Sequence, residues 1–416
     1  MITPLYSGAD LERAAGRKPS GGGGTGSPFR TARALVRHLT EAARKAPLVG
    51  CRELVCHGNE RHSGRPLSIR YIGTAAQLHF LTELCFDGHR IVHERPLATP
   101  GRTIAALRQA GADEDFLWVD AESWIAGPLV RRPGLRLPTW IKQHLEIRDE
   151  WNDVVGALPR ATRRGVARFL RKYGYQGRLN GSAEALDDFY HRLYRPYVSD
   201  RHGEGALVVS ERLFRSECRG GLLVELLHDG EVVGANLLRR SGKTMSIVWC
   251  GLSEKVETSD LKGASDVLDY FSILHAFRSG CDRLDFGPSR PRLNDGLLVY
   301  KSKWDTHLGA GRLRKPPLVV APRTLSPAVV PVLSENHWIT SEGGRLVGRI
   351  LRNGGPLTNG DAEELQARHG HPGIASLNLY ALAGLADDLS SAEWRTKGVN
   401  VIDLRGAPDP LAVYLR

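Results

Sequence analysis

Between residues 221 and 252 three apolar runs follow one another, GLLVELLHD, EVVGANLLRR and KTMSIVWCGL, parted only by Asp229-Gly230 and Ser241-Gly242. Dipeptides of this kind suit the tight turns whose twist matches that of the strands they join, so the text predicts an antiparallel three-stranded meander. A helix of about twenty residues is expected next, capped by Ser259 or Asp260. Ala264, Val267, Leu268, Phe271 and Leu274 give it one apolar stripe at helical spacing. The strand RLDFG, the loop PSRPRLNDG and the segment LLVYKSKW, read as a strand ending near Lys301, complete the pattern. Such a chain builds a mixed, largely antiparallel sheet with helices against it, an α/β (α+β) fold.

A similar order is legible earlier in the chain. PLSIRYI reads as a strand, HFLTELCFDGHRIVHERP as a hairpin about Asp87-Gly88, TIAALRQAG as a short helix opened by Pro100-Gly101, and DFLWVDA as another strand. Glu-Leu-Cys-Phe-Asp-Gly at 83–88 echoes Glu-Leu-Leu-His-Asp-Gly at 225–230, and with the matching element order the echo reads as a duplicated module. The stretch GRKPSGGGGTG cannot bury a core and reads as a flexible linker, while Pro28 to Ala46 reads as an amphipathic helix through Ala32, Leu35, Val36 and Leu39. The expected organisation is a flexible tail over 1–27, a first module over 28–145, a second over 146–320, and a small C-terminal α/β extension over 321–416. That extension is expected to hold a helix from Asn359 to Gly370 and the strands IASLNLY and NVIDLRG.

The 416 residues carry 57 Lys+Arg against 46 Asp+Glu, a net charge of +11, which favours polyanionic partners such as tRNA, a nucleotide or a diphosphate. The charge has a focus. Residues 158–178, LPRATRRGVARFLRKYGYQGR, hold seven basic residues and no acid. On a helix Arg160, Arg163, Arg164, Arg168, Arg171 and Lys172 share one side, and Val166, Phe169, Leu170 and Tyr173 the other. Like charges stacked this way repel, and an anionic ligand offsets the cost; a solvated basic face is the alternative. The six cysteines form no C-x-x-C pair and read as buried, reduced thiols. HGNERH and RHGHPG lack four ligands at zinc spacing, so no metal is expected. No apolar run reaches the length of a bilayer span and the start has no apolar leader segment, so the expectation is a soluble, cytoplasmic chain.

The order LPRATRRGVARFLRKYG, DFYHRLYRPYVSDRHG, meander, long helix, RLDFG, LLVYKSKW resembles the second GNAT-like half of the Fem family and the wider group of Fem-related acetyltransferase-like proteins. The Fem proteins are peptidyltransferases that move amino acids from aminoacyl-tRNA onto peptidoglycan precursors. The resemblance covers about 140 to 310 well and 47 to 140 more thinly; its most specific pieces are Gly280 to Gly287 and Tyr300-Lys301 with Trp304 behind. It implies tandem GNAT-like modules and an aminoacyltransferase that forms an amide bond on a peptide or small-molecule amine. It further implies that Lys301 lies at the acceptor and transfer site. The family has Phe where this chain has Tyr300, which adds a hydroxyl.

Amide formation from an activated ester needs donors or positive charge for the developing oxyanion, and somewhere for the amine's proton to go. The catalytic candidates are Lys301 for the oxyanion or a ligand phosphate, Asp285 for the acceptor amine, and His202 as base. Substrate contacts are expected from Tyr300, Lys303, Trp304, Arg290, Arg292, Asp200, Arg201 and Tyr197, with the two arginines able to clamp a phosphate or carboxylate. The basic helix is the candidate tRNA or phosphate surface. GNAT enzymes that use acyl-CoA cradle its pyrophosphate at a helix start, in an Arg/Gln-x-x-Gly-x-Gly/Ala loop. The matching SDLKGAS has Asp260 and Ser265 at the outer positions of that loop, so the cradle reads as degenerate. The donor expected is therefore aminoacyl-tRNA, with no tightly bound cofactor. An acyl-CoA-dependent N-acyltransferase and a non-catalytic GNAT-like binding protein are the alternatives.

Overall fold

A computed structural model describes residues 51–97, 99–109, 113–120, 133–202, 208–258, 261–310 and 318–416. The expected tail and the helix from Pro28 to Ala46 lie outside them. The chain divides into two compact units. One takes Lys142–Pro288 and Tyr300–His307; the other takes the described part of Gly23–Ile141, with Ser289–Val299 and Leu308–Arg416. No described helix is long and apolar enough to cross a membrane.

In the first of these units the meander forms as read. Strands Leu222–His228, Glu231–Ser241 and Thr244–Leu252 pair antiparallel. Asp229 and Gly230 both take positive φ, 50° and 80°, the geometry a primed turn demands and the reason Asp-Gly stands there. Six strands of the sheet run in the order Ile141–Glu146, Arg283–Ser289, Thr244–Leu252, Glu231–Ser241, Leu222–His228, Gln176–Asn180. The long helix spans Ala264–Arg278, and its stripe packs into a core with Leu145, Trp151, Val224, Leu226 and Leu284. It starts later than a cap at Ser259 or Asp260 would place it: Gly263 is the cap, in the left-handed conformation, and the other two lie outside the described residues. The basic helix is Arg160–Tyr173, closed by Gly174 at φ 58°. Val166 is buried, while Phe169, Leu170 and Tyr173 pack partly buried against the same core.

The other unit holds a six-stranded sheet in the order Phe86–Leu97, Cys51–Glu60, Pro66–Gly73, Phe116–Asp120, Leu318–Pro322, Leu135–Leu137. A four-stranded sheet follows, Trp338–Glu342, Arg345–Arg352, Ile374–Ala381 and Val399–Asp403, whose last three strands are parallel and joined through helices Asn359–His369 and Ser391–Thr396. The helix and both strands expected here form, and Thr358 with Asp361 caps the helix in a reciprocal box.

Three expectations are corrected. The hairpin about Asp87-Gly88 is instead a helix, Ala75–Cys85, running directly into the long strand Phe86–Leu97. Leu81 and Cys85 are buried one helical turn apart, and Gly88 lies in mid-strand, where its carbonyl passes so close to Gly58 that a Cβ there would sit 2.3 Å from it. The echo of Glu83–Gly88 in Glu225–Gly230 is therefore no structural repeat, one copy ending a helix and the other a strand. Finally, LLVYKSKW forms no strand. Gly296–Ser302 is a helix, opened by the Asp295 carboxylate accepting from the Leu298 N–H at 2.9 Å, and it carries Tyr300 and Lys301.

Candidate active site

Strands Thr244–Leu252 and Arg283–Ser289 are parallel neighbours, yet they pair over three residues only, Thr244 to Ser246 against Arg283 to Asp285. Beyond that point the ladder between them opens, and the pairing of Thr244–Leu252 with Glu231–Ser241 shifts register between Ile247 and Trp249. Main-chain groups of both strands are left without a ladder partner across the opening, which suits a site that must supply N–H donors to an oxyanion.

The sequence candidates gather in two clusters beside this opening. In the first, the Asp285 carboxylate accepts from the Gly287 N–H at 2.8 Å and from Lys142 Nζ at 3.2 Å. Lys301 reaches the same turn from the helix. It is 6% exposed and donates to the carbonyls of Gly287 at 3.1 Å and Pro288 at 2.9 Å. It is a buried helical ammonium holding a strand end, where a strand-end lysine was expected.

The second cluster is centred on Tyr300. Its hydroxyl donates to Asp269 Oδ2 at 2.8 Å, and Asn236 Nδ2 donates to Asp269 Oδ1 and to Ser272 Oγ, each at 3.1 Å. Burial raises the Asp269 carboxyl to about 6, against the pull of Tyr300, Asn236 and Lys303. Burial and the same carboxylate push the Tyr300 phenol well above its usual value. Lys303 Nζ pairs with Asp266 at 2.5 Å and lies 3.8 Å from the centroid of the Tyr300 ring. Trp304 is fully buried beside Phe286, and its indole N–H has no partner among the described residues, so it packs in the core.

The other candidates have contacts of their own. Arg290 packs over the rings of Phe80 and Trp140, and Arg292 donates to Asn336 Oδ1 at 2.6 Å. Asp200 is exposed and Tyr197 packs against the core; the side chains of Arg201 and His202 lie outside the description. The helix before them has a π turn over Phe189–Tyr194, where Gly251 lets the backbone of Leu193 approach; a Cβ there would come within 2.6 Å of it. Ligand atoms of Asp187, His191 and Glu211 lie within 4.8 Å of one another, but Arg215 bridges Asp187 and Glu211 at 2.9 and 2.7 Å and fills that role. All six cysteines are free.

At the start of the long helix Gly263 has φ 75°, and the ring of Phe169 presses on it: a Cβ there would fall 2.1 Å from Phe169 Cδ2. Phe169 comes from the apolar side of the basic helix, which Thr162 pins by donating to the Lys303 carbonyl at 2.8 Å. On its other side Arg160, Arg163, Arg164, Arg168, Arg171 and Lys172 are all exposed, and none pairs with an acid among the described residues.

Sequence reasoning missed Asp269, Asn236 and Ser272. An acid in the midst of an apolar helical stripe was the available signal, because a buried carboxylate must find donors.

Residues 148–302 match the family model described as an acetyltransferase (GNAT) domain. The chain is similar to solved structures of FemX (13% identity over 62% of this chain and 81% of that one, TM-score 0.36). It is also similar to L-PGS from Bacillus licheniformis (12%, 75% and 96%, TM-score 0.34) and to a tandem GNAT protein from the clavulanic acid biosynthesis pathway (14%, 64% and 82%, TM-score 0.28). The chain matches none of the curated proteins. It carries a GNAT-fold acyltransferase domain.

Proposed function

We propose that this chain is an aminoacyltransferase, moving an aminoacyl group from aminoacyl-tRNA to the amine of a peptide or small-molecule acceptor. In this reaction the neutral amine attacks the ester carbonyl carbon. The C–N bond forms, the C–O bond to the ribose breaks, and the amine's proton ends on the released ribose hydroxyl. Main-chain donors at the parted strands serve the oxyanion. Lys301 and Asp285 serve the step from the Gly287 turn that both hold.

The observation that carries the choice of donor is the contact of Phe169 with Gly263. An acyl-CoA pyrophosphate would use the N–H groups at the start of the long helix. The ring of Phe169 packs against that start at Gly263. This crowding supports the ester donor over a pyrophosphate-bearing one. The same helix that supplies the ring turns six exposed cations outward, none with an acid partner among the described residues, an arrangement suited to a nucleic-acid backbone.

The test is to incubate the protein with charged total tRNA and, separately, with acetyl-CoA, each with a mixture of amines, and to follow loss of donor. Consumption of aminoacyl ester is expected. Turnover of acetyl-CoA alone would overturn this reading in favour of the acyl-CoA one.

A further inference from the structure

The guanidinium of Arg290 is held unlike any other in the chain's described part. Its carbon lies 4.1 Å from the centroid of the Phe80 ring and 4.3 Å from that of Trp140. Its Nη1 donates to Oε1 of Gln77, a buried side chain, at 2.5 Å. Two aromatic contacts and one hydrogen bond together fix both the plane of the group and its rotation within that plane.

Among the described residues the group has no carboxylate in contact. It forms no ion pair among the described residues, and Asp295, Glu83 and Asp120 act on it only through space. Burial, with Arg292 nearby adding like charge, brings it down to about 10, so the fold bears the cost of a desolvated cation. Gln77 uses Nη1. The N–H groups of Nε and Nη2, which point side by side from the same edge, have no partner among the described residues. That edge matches the two oxygens of a carboxylate.

We propose that Arg290 is a preorganised subsite for a ligand carboxylate, bound in the plane of the guanidinium through Nε and Nη2, with Phe80 and Trp140 excluding water from the cation. A rigid fork favours a flat, two-oxygen anion over a tetrahedral one, because both of its donors lie in one plane. The binding of this carboxylate does not depend on the proposed function, and it is measured without turnover.

The experiment uses the full chain labelled with ¹⁵N-arginine. The Arg290 Nε–H signal, assigned by its disappearance in Arg290→Lys, is followed during titration with N-acetylalanine, N-acetylalaninamide and inorganic phosphate. A saturable shift with the acid at about millimolar Kd is expected, the scale of one charge-assisted fork. The amide should have no effect, and phosphate should bind at least about tenfold more weakly. Arg290→Lys, uniformly ¹⁵N-labelled beside an equally labelled wild type and checked for an unchanged melt, should weaken the acid by a similar factor as read from the backbone amides of Gln77 and Phe80. An equal response to the amide, a signal that stays still with every ligand, or a response to phosphate alone overturns the proposal. The amide comparison needs no variant, so misfolding of Arg290→Lys would leave the test intact. Failure here leaves the transfer reaction standing, just as failure of the donor assay leaves this subsite standing.

Discussion

The hydroxyl of Tyr300 donates to the carboxylate of Asp269 at 2.8 Å, tying the helix Gly296–Ser302 to the middle of the long helix. Asp269 is buried and its carboxyl is raised from 3.8 to about 6, so the folded state binds its proton more tightly than the unfolded chain. The stability this lends is present below pH 3.8 and lost as the pH rises to about 6, at a cost on the order of 3 kcal/mol by neutrality. Asp269→Asn removes the titration. The unfolding free energy of the wild type relative to this variant is expected to fall between pH 4 and 7; a difference that stays flat would show that the ionised carboxylate is held at no cost. Tyr300→Phe removes a donor to that carboxylate and should destabilise by about 1–2 kcal/mol at pH 7.

Lys301→Met keeps the length of the side chain and removes its charge. Since the ammonium serves two carbonyls in a buried place, the variant should lose about 1–3 kcal/mol of stability as well as activity. Transfer is expected to slow by about 10²–10³ in kcat, the scale for loss of one donor at such a site. Wild-type turnover with a lowered melting temperature would show that Lys301 only braces the turn.

The salt dependence of tRNA binding reads the basic helix directly. Replacing Arg163 and Arg168 with Gln should reduce the slope of log K against log salt by up to about 0.9 for each phosphate contact removed. Both side chains are exposed and neither pairs with an acid among the described residues; Arg168 lies 4.8 Å from the centroid of the Phe169 ring, and loss of that exposed contact should change folding by no more than about 0.5 kcal/mol. An unchanged slope would mark the helix as a solvated face.

His337 and His369 face each other, Nδ1 to Nε2, at 3.0 Å. Burial depresses them to about 4 and about 3, with Arg368 adding to both. Their folded values lie below the unfolded one, so the stability they contribute is present above pH 6.5 and lost as the pH falls towards 4. The slope of unfolding free energy against pH in that window reports proton uptake, and His337→Gln should remove about one proton from it. A slope unaltered by the substitution would show that the pair titrates normally.

Much of the fold could be read because its signals are local. Asp229-Gly230 predicts its turn by the φ values only such residues take readily, and the basic helix by side-chain spacing alone. The helix Gly296–Ser302 could not be read the same way. Leu298 is buried while Leu297 and Val299 are 50% and 48% exposed, and a short apolar run carries no period that separates helix from strand. The Asp269 network joins Asn236, Ser272 and Tyr300 across distant segments, and partners so far apart leave no mark on spacing. Phe169 was read as one member of an apolar face; only the fold shows that it covers Gly263.

Strand Leu318–Pro322 pairs on one side with Phe116–Asp120 and on the other with Leu135–Leu137. Both partners leave the ribosome roughly 180 to 200 residues before it, ahead of Lys142–Pro288. During that interval Phe116–Asp120 has an open edge and Leu135–Leu137 has no place in the sheet, an invitation to pair with another nascent chain. Synthesis thus sets the order of assembly: the segment made in the middle can fold first, and the one begun earliest must wait for the last quarter of the chain.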